Sequence, residues 1–76
     1  PMDFPNHYQT SMSFIDTITD NTHVHLYITG LTPVLTCFLS AWVQRNDERR
    51  RAGSPTIPLT LYHFNRDTKE YMSCLF

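Results

Sequence analysis

Two histidines separated by one residue, His23-Val24-His25, are the sharpest chemical signal in the sequence. In an extended strand, residues two apart point to one face, so both imidazoles could reach the same metal ion, with His63 as a third ligand from another strand. A second constellation is basic: Arg45, Arg49, Arg50 and Arg51 fall close together, and Arg66 and Lys69 follow downstream. Guanidinium forks pair bidentately with phosphate or carboxylate. Set beside Tyr27, Tyr62 or Phe64, they outline a face for RNA or another single strand, with charge for the backbone and rings for the bases. Asp47 and Glu48 halve that local charge and supply the competing reading, a solvated helix end whose arginines complement the helix dipole.

The His23-Val24-His25 strand resembles the paired-histidine strand of rolling-circle replication initiators and related single-strand nucleases and transposases; the resemblance covers these three residues. It implies two histidines holding a metal beside a catalytic tyrosine, with that tyrosine on a helix and a lysine downstream. Here the main helix holds no tyrosine and Lys69 is the sole lysine, so the expectation is two strand histidines on a solvent-facing sheet, with no metal and no cofactor. Nucleophilic catalysis has no better footing. Ser11, Ser13, Ser40, Ser54 and Ser73 lie in no glycine elbow, and two glycines cannot build a phosphate-cradling loop. The expected class is non-enzymatic. Arg51-Ala52-Gly53-Ser54-Pro55 also suits a kinase that reads arginine or proline, and a phosphate on Ser54 could fold back on the arginines.

A chain of 76 residues is one domain and buries only roughly 60 to 65% of its unfolded surface, so a disulfide, a metal or a partner is the usual supplement. Cys37 and Cys74 have no CxxC spacing and read as buried thiols. The formal charge is −1, with Asp3, Asp16 and Asp20 as the only charges before residue 45. Near-neutrality argues against a protein that lives on phosphate contacts alone. With no charged leader ahead of an apolar run, the expected compartment is cytoplasmic or nuclear. Leu26 to Val43 is uncharged and precedes the arginines, but Thr29, Gly30, Thr32, Pro33, Thr36 and Ser40 dilute it, so no membrane span is expected.

Residues 1–11 read as an irregular arm, in which Pro1 is an addition ahead of a native Met2, and residues 12–76 as the domain. Met12, Phe14 and Ile18, then Val24, Leu26 and Ile28, alternate around Asp20-Asn21-Thr22 and predict a hairpin of strands 12–19 and 23–29. The rival reading is a short helix over 10–19, on the spacing of Met12, Ile15 and Ile18. Gly30 should end the second strand. Thr32 and Pro33 start a helix that runs to Arg51, where Gly53-Ser54-Pro55 stop it. Ile57, Leu59 and Leu61 alternate with Thr60, Tyr62 and Phe64 as a strand beginning after Pro58, and 65–70 turn into a last strand over 71–76. The expected fold is α+β in ββαββ order, an antiparallel sheet with one central helix on one face. The other face would carry His25, Tyr27, Tyr62 and Phe64.

On that helix Leu35, Phe38, Leu39 and Trp42 make one stripe, continued by Asn46 and Arg49. Val34, Cys37, Ala41 and Val43 widen the apolar arc past what a sheet can cover, so a second cover is expected, most simply another copy of the chain. The leading expectation is a small protein–protein interaction module that self-associates, or docks on another protein, through these flank residues; in a homodimer the contact would be isologous, helix against the same helix or edge strand against edge strand. The alternative is an RNA-binding regulatory protein that uses Arg45, Arg49, Arg50, Arg51 and Arg66, a role that would also suit a viral accessory factor.

Overall fold

A computed structural model describes residues 3–29 and 32–76. The chain is α+β, with α1 (Phe4–Ile15), β1 (Val24–Ile28), α2 (Pro33–Arg51), β2 (Leu59–Asn65) and β3 (Glu70–Leu75). The order is therefore αβαββ and not ββαββ. The sheet runs β1-β2-β3, with β1 parallel and β3 antiparallel to the central β2, so it is mixed where an antiparallel sheet was expected. Gly30, the expected end of β1, lies outside the described residues.

The first expected strand is a helix for local reasons. Asp3 accepts the Asn6 N–H at 3.2 Å and Pro5 occupies the first turn, where its missing N–H costs nothing. Tyr8, Met12 and Ile15 then recur at helical spacing and pack toward the core. Ser11 is buried among them and donates its hydroxyl to the His7 carbonyl at 2.8 Å. The residues read as an irregular arm thus form most of α1. Asn21, at φ 66°, turns the chain from the helix into β1; asparagine tolerates this left-handed conformation better than most residues. Asp20-Asn21-Thr22 is a turn as expected, but it joins a helix to a strand.

With a helix ahead of it, β1 has no hairpin partner. It pairs with the strand that returns after α2, and the helix supplies the crossover that this parallel pairing needs. The boundaries of α2 follow the sequence. Thr32 accepts the Leu35 N–H at 3.3 Å, and the far end closes with Ser54 N–H to Arg49 O at 2.9 Å and Gly53 N–H to Arg50 O at 3.2 Å. Gly53 sits at φ +74°, the left-handed position this closure requires. Pro58 stands just ahead of β2, where its missing donor breaks no rung of the ladder, and its carbonyl accepts the Val24 N–H at 3.0 Å.

Ile15, Ala41, Trp42, Ile57, Leu59 and Leu61 form the buried core. Asn46 is buried beside them. Its Oδ1 accepts the Ile57 N–H at 2.6 Å and its Nδ2 donates to the Trp42 carbonyl at 3.1 Å, tying α2 to the chain entering β2. The flank of α2 that asked for a second cover receives it from α1: Cys37 and Ala41 are buried, and the Cys37 thiol points at the Phe4 carbonyl. The cover expected from another copy is thus supplied within the chain at those two positions. Val34 and Val43 stay about half exposed. The molecule measures 43 × 30 × 17 Å, and the short dimension is that of one sheet and one helical layer.

Candidate functional site

Strand parity sorts the sheet into two faces. Val24, Leu26 and Ile28 stand level with Leu59, Leu61 and His63 on the helix side. On the other side His25 and Tyr27 stand level with Thr60 and Tyr62, and these in turn with Leu75 and Ser73, while Phe64 meets Tyr71. Among the described residues no element covers this second face. Its rings touch in series. Tyr27 and Tyr62 stack at 4.4 Å and 10°, Tyr71 meets Tyr27 edge-on at 5.1 Å, and Phe64 meets Tyr71 edge-on at 5.3 Å. At the other end His23 stacks on His25 at 4.5 Å. Two side-chain hydrogen bonds brace the row, His23 Nε2 with Thr60 Oγ1 at 2.7 Å and His25 Nδ1 with the Tyr62 hydroxyl at 2.8 Å. The rings are thereby held in place before any ligand arrives, which lowers the ordering cost of binding.

The expected sharing of one face by His23 and His25 holds, but His63 does not join them. It follows Tyr62 in β2, so the pleat turns it to the opposite side, level with Ile28 and Met72. Among the described residues no group of three or more His, Cys, Asp or Glu is placed to hold a metal ion. The two imidazoles are engaged as hydrogen-bonding partners of Thr60 and Tyr62.

The arginines are matched by carboxylates. Arg45 reaches Asp16, with Nη2 on Oδ2 at 2.9 Å, and Glu48, with Nη1 on Oε1 at 2.8 Å. Its buried Nε lies 2.9 Å from Asp16 Oδ1, at ion-pair distance but without hydrogen-bond alignment. Arg49 donates to Asp20 at 2.6 Å and to the Pro55 carbonyl at 3.1 Å. Arg50 and Arg51 both face Asp47, at 3.5 and 3.0 Å. Hydrogen bonds from Gln44 and Arg45 hold the Glu48 carboxyl below the ordinary glutamate range, and the Glu48 contact raises the Arg45 guanidinium further. Arg66 and Lys69 are exposed at the β2–β3 turn, in none of the ion pairs among the described residues. The cluster at the end of α2 is therefore a balanced set of charges that clamps the segment after α1 onto α2.

No family model, curated protein or solved structure matches this chain. Function has to be read from the surfaces themselves. No helix among the described residues is long and apolar enough to cross a membrane.

The exposure of the last strand on both of its faces was not among the sequence expectations. Every residue of β3 is exposed, on both faces of the strand. Tyr71 and Leu75 continue the ring-bearing face, while Met72 and Cys74 face the helix side, beyond the reach of the helical layer. At its C-terminal end Leu75 and Phe76 line a groove with Trp42, Val43 and Arg50 of α2. The sequence signal was present: the run Tyr71-Met72-Ser73-Cys74-Leu75-Phe76 carries no charge and is apolar in both parities. Such a strand is suited to burial on both sides.

Proposed function

We propose that this protein is a small non-enzymatic protein–protein interaction module that self-associates, and that its working surface is the open sheet face with the adjoining β3 strand. The observation that carries this reading is a row of touching rings, the exposed Tyr27, Phe64 and Tyr71 with the half-buried Tyr62 among them, on a braced sheet that no element covers among the described residues. Exposed apolar area of this extent marks an interaction surface on a small protein. Of the flank residues first expected to form the contact, Val43 keeps that role, beside Leu75 and Phe76. Val34 is exposed near the start of α2, whereas Cys37 and Ala41 face α1.

The same rings would suit stacked bases, and an RNA-binding reading would recruit Arg66 and Lys69 at the end of the face. The charge balance favours a protein partner: Arg45, Arg49, Arg50 and Arg51 are all engaged by carboxylates, and the chain carries a net charge of −1. The deciding experiment is molar mass by light scattering after size exclusion, at two salt concentrations, with absorbance at 260 and 280 nm. The expected result is a salt-insensitive species at twice the 8.9 kDa chain mass, free of nucleic acid. A monomer, or a salt-sensitive species with excess absorbance at 260 nm, would overturn the reading.

A further inference from the structure

The geometry points to a second copy of this chain as the occupant of the β3 edge, paired antiparallel about a twofold axis that passes between the two Ser73 residues. This rests on the self-association proposed above and specifies where and how it occurs.

Backbone chemistry selects the register. The Phe76 N–H donates to the Leu59 carbonyl at 2.9 Å, so Phe76 turns its polar groups inward to β2. In an antiparallel ladder this alternates along the strand, so Cys74 and Met72 also bond inward, while Tyr71, Ser73 and Leu75 direct their N–H and C=O groups to the open edge. A symmetric partner must set outward residues against outward residues. Placing Ser73 opposite Ser73 sets Tyr71 opposite Leu75 in both directions and uses every outward group of the strand. Moving the axis to Cys74 sets Tyr71 past the end of the partner's β3.

Side chains agree with this register. On the ring-bearing face each Tyr71 packs across from a Leu75, and on the helix side each Met72 packs across from a Cys74, with no like charges opposed. Native edges are normally guarded by lysine, proline or an inward charge, and Tyr71 to Leu75 has none of these. The other free edge, β1, is a poorer template. The Val24 N–H bonds to Pro58, so by the same alternation only His25 and Tyr27 turn outward within that strand.

The exposed area is also in proportion. The chain exposes 5490 Å², whereas a folded monomer of its mass exposes about 4800 Å². The excess is close to the roughly 800 Å² that each partner contributes to a standard interface. Pairing two β3 edges would join two three-stranded sheets into one and place the two ring rows on a single continuous face.

The test uses charge at the twofold. Ser73 is exposed and its backbone polar groups are not used by β2, so Ser73→Lys and Ser73→Glu should both keep the circular dichroism of the parent. Each should weaken the dimer at least tenfold in sedimentation equilibrium, because the axis brings two like charges face to face. An equimolar mixture of the two should restore a dimer containing one of each. If the parent is a dimer and both variants dimerise equally well, the β3 pairing is overturned while self-association stands. If both variants are monomeric and their mixture stays monomeric, the Ser73 axis is overturned. A monomeric parent overturns both proposals.

Discussion

Asn46 is the polar group on which the join between α2 and the sheet depends, and its removal should be costly. In Asn46→Ala the Ile57 N–H loses its acceptor and the Trp42 carbonyl loses a donor, both beside core residues 3% exposed. A buried donor left without a partner costs about 1–3 kcal/mol, and the helix propensity gained by alanine returns a few tenths. The net expectation is a loss of about 2 kcal/mol. For a domain of this size each kcal/mol moves the midpoint by about 4–8 °C, so thermal unfolding followed by circular dichroism should shift down by about 8–16 °C. The comparison must be made at one protein concentration, since the proposed self-association would raise apparent stability. Urea unfolding should give a lower midpoint with an unchanged slope. A loss below about 0.5 kcal/mol would mean that the Ile57 N–H finds water or another acceptor, and the account of this junction would fail.

Ala41→Glu should unfold the chain, because it places a carboxylate under α1 at a site with no exposure, whereas Val43→Glu, at a half-exposed site beside Leu75 and Phe76, should keep the parent's circular dichroism and weaken self-association in size exclusion. Arg49→Ala should detach the segment at Asp20 from α2, seen as faster amide exchange at Ile18 to Asn21 with β2 unaffected. The Glu48 carboxyl should titrate by NMR below the ordinary glutamate value and rise toward it in Gln44→Ala. Because folding lowers that pKa, the stabilisation it contributes is present above the unfolded value and lost as pH falls through the folded one.

The second half of the chain was legible because its signals are local and redundant. Thr32-Pro33 and Gly53-Ser54-Pro55 bound α2 where expected, and period-two alternation locates β2 and β3 within a residue or two. The first half failed at one decision. Met12, Phe14 and Ile18 fit a two-residue period loosely, while Asp3 and Pro5 form a helix start whose apolar follow-up, Tyr8, Met12 and Ile15, is sparse. Reading a strand there forced the hairpin, the antiparallel sheet and the single helix together. It also hid what covers Cys37 and Ala41, so the helix flank was assigned to a partner. The acidic first half and basic second half carried a clue: Asp16 and Asp20 are spaced like Arg45 and Arg49, and the two pairs meet. Metal geometry on His63 failed on strand parity alone.

The parallel pairing of β1 with β2 has a kinetic consequence. Bringing Val24 to Leu59 closes a loop that contains all of α2, at an entropic cost of about 3 kcal/mol beyond the fixed cost of closure. The β2–β3 hairpin closes through the short turn after Asn65 and can form in about 1–10 μs without the rest of the chain. During refolding the hairpin can form transiently while β1 is still unpaired, with apolar strand edges open on both sides. Chains in that interval can cross-pair in ways the finished sheet forbids, so refolding yield should fall as protein concentration rises even where the native state is a well-defined dimer.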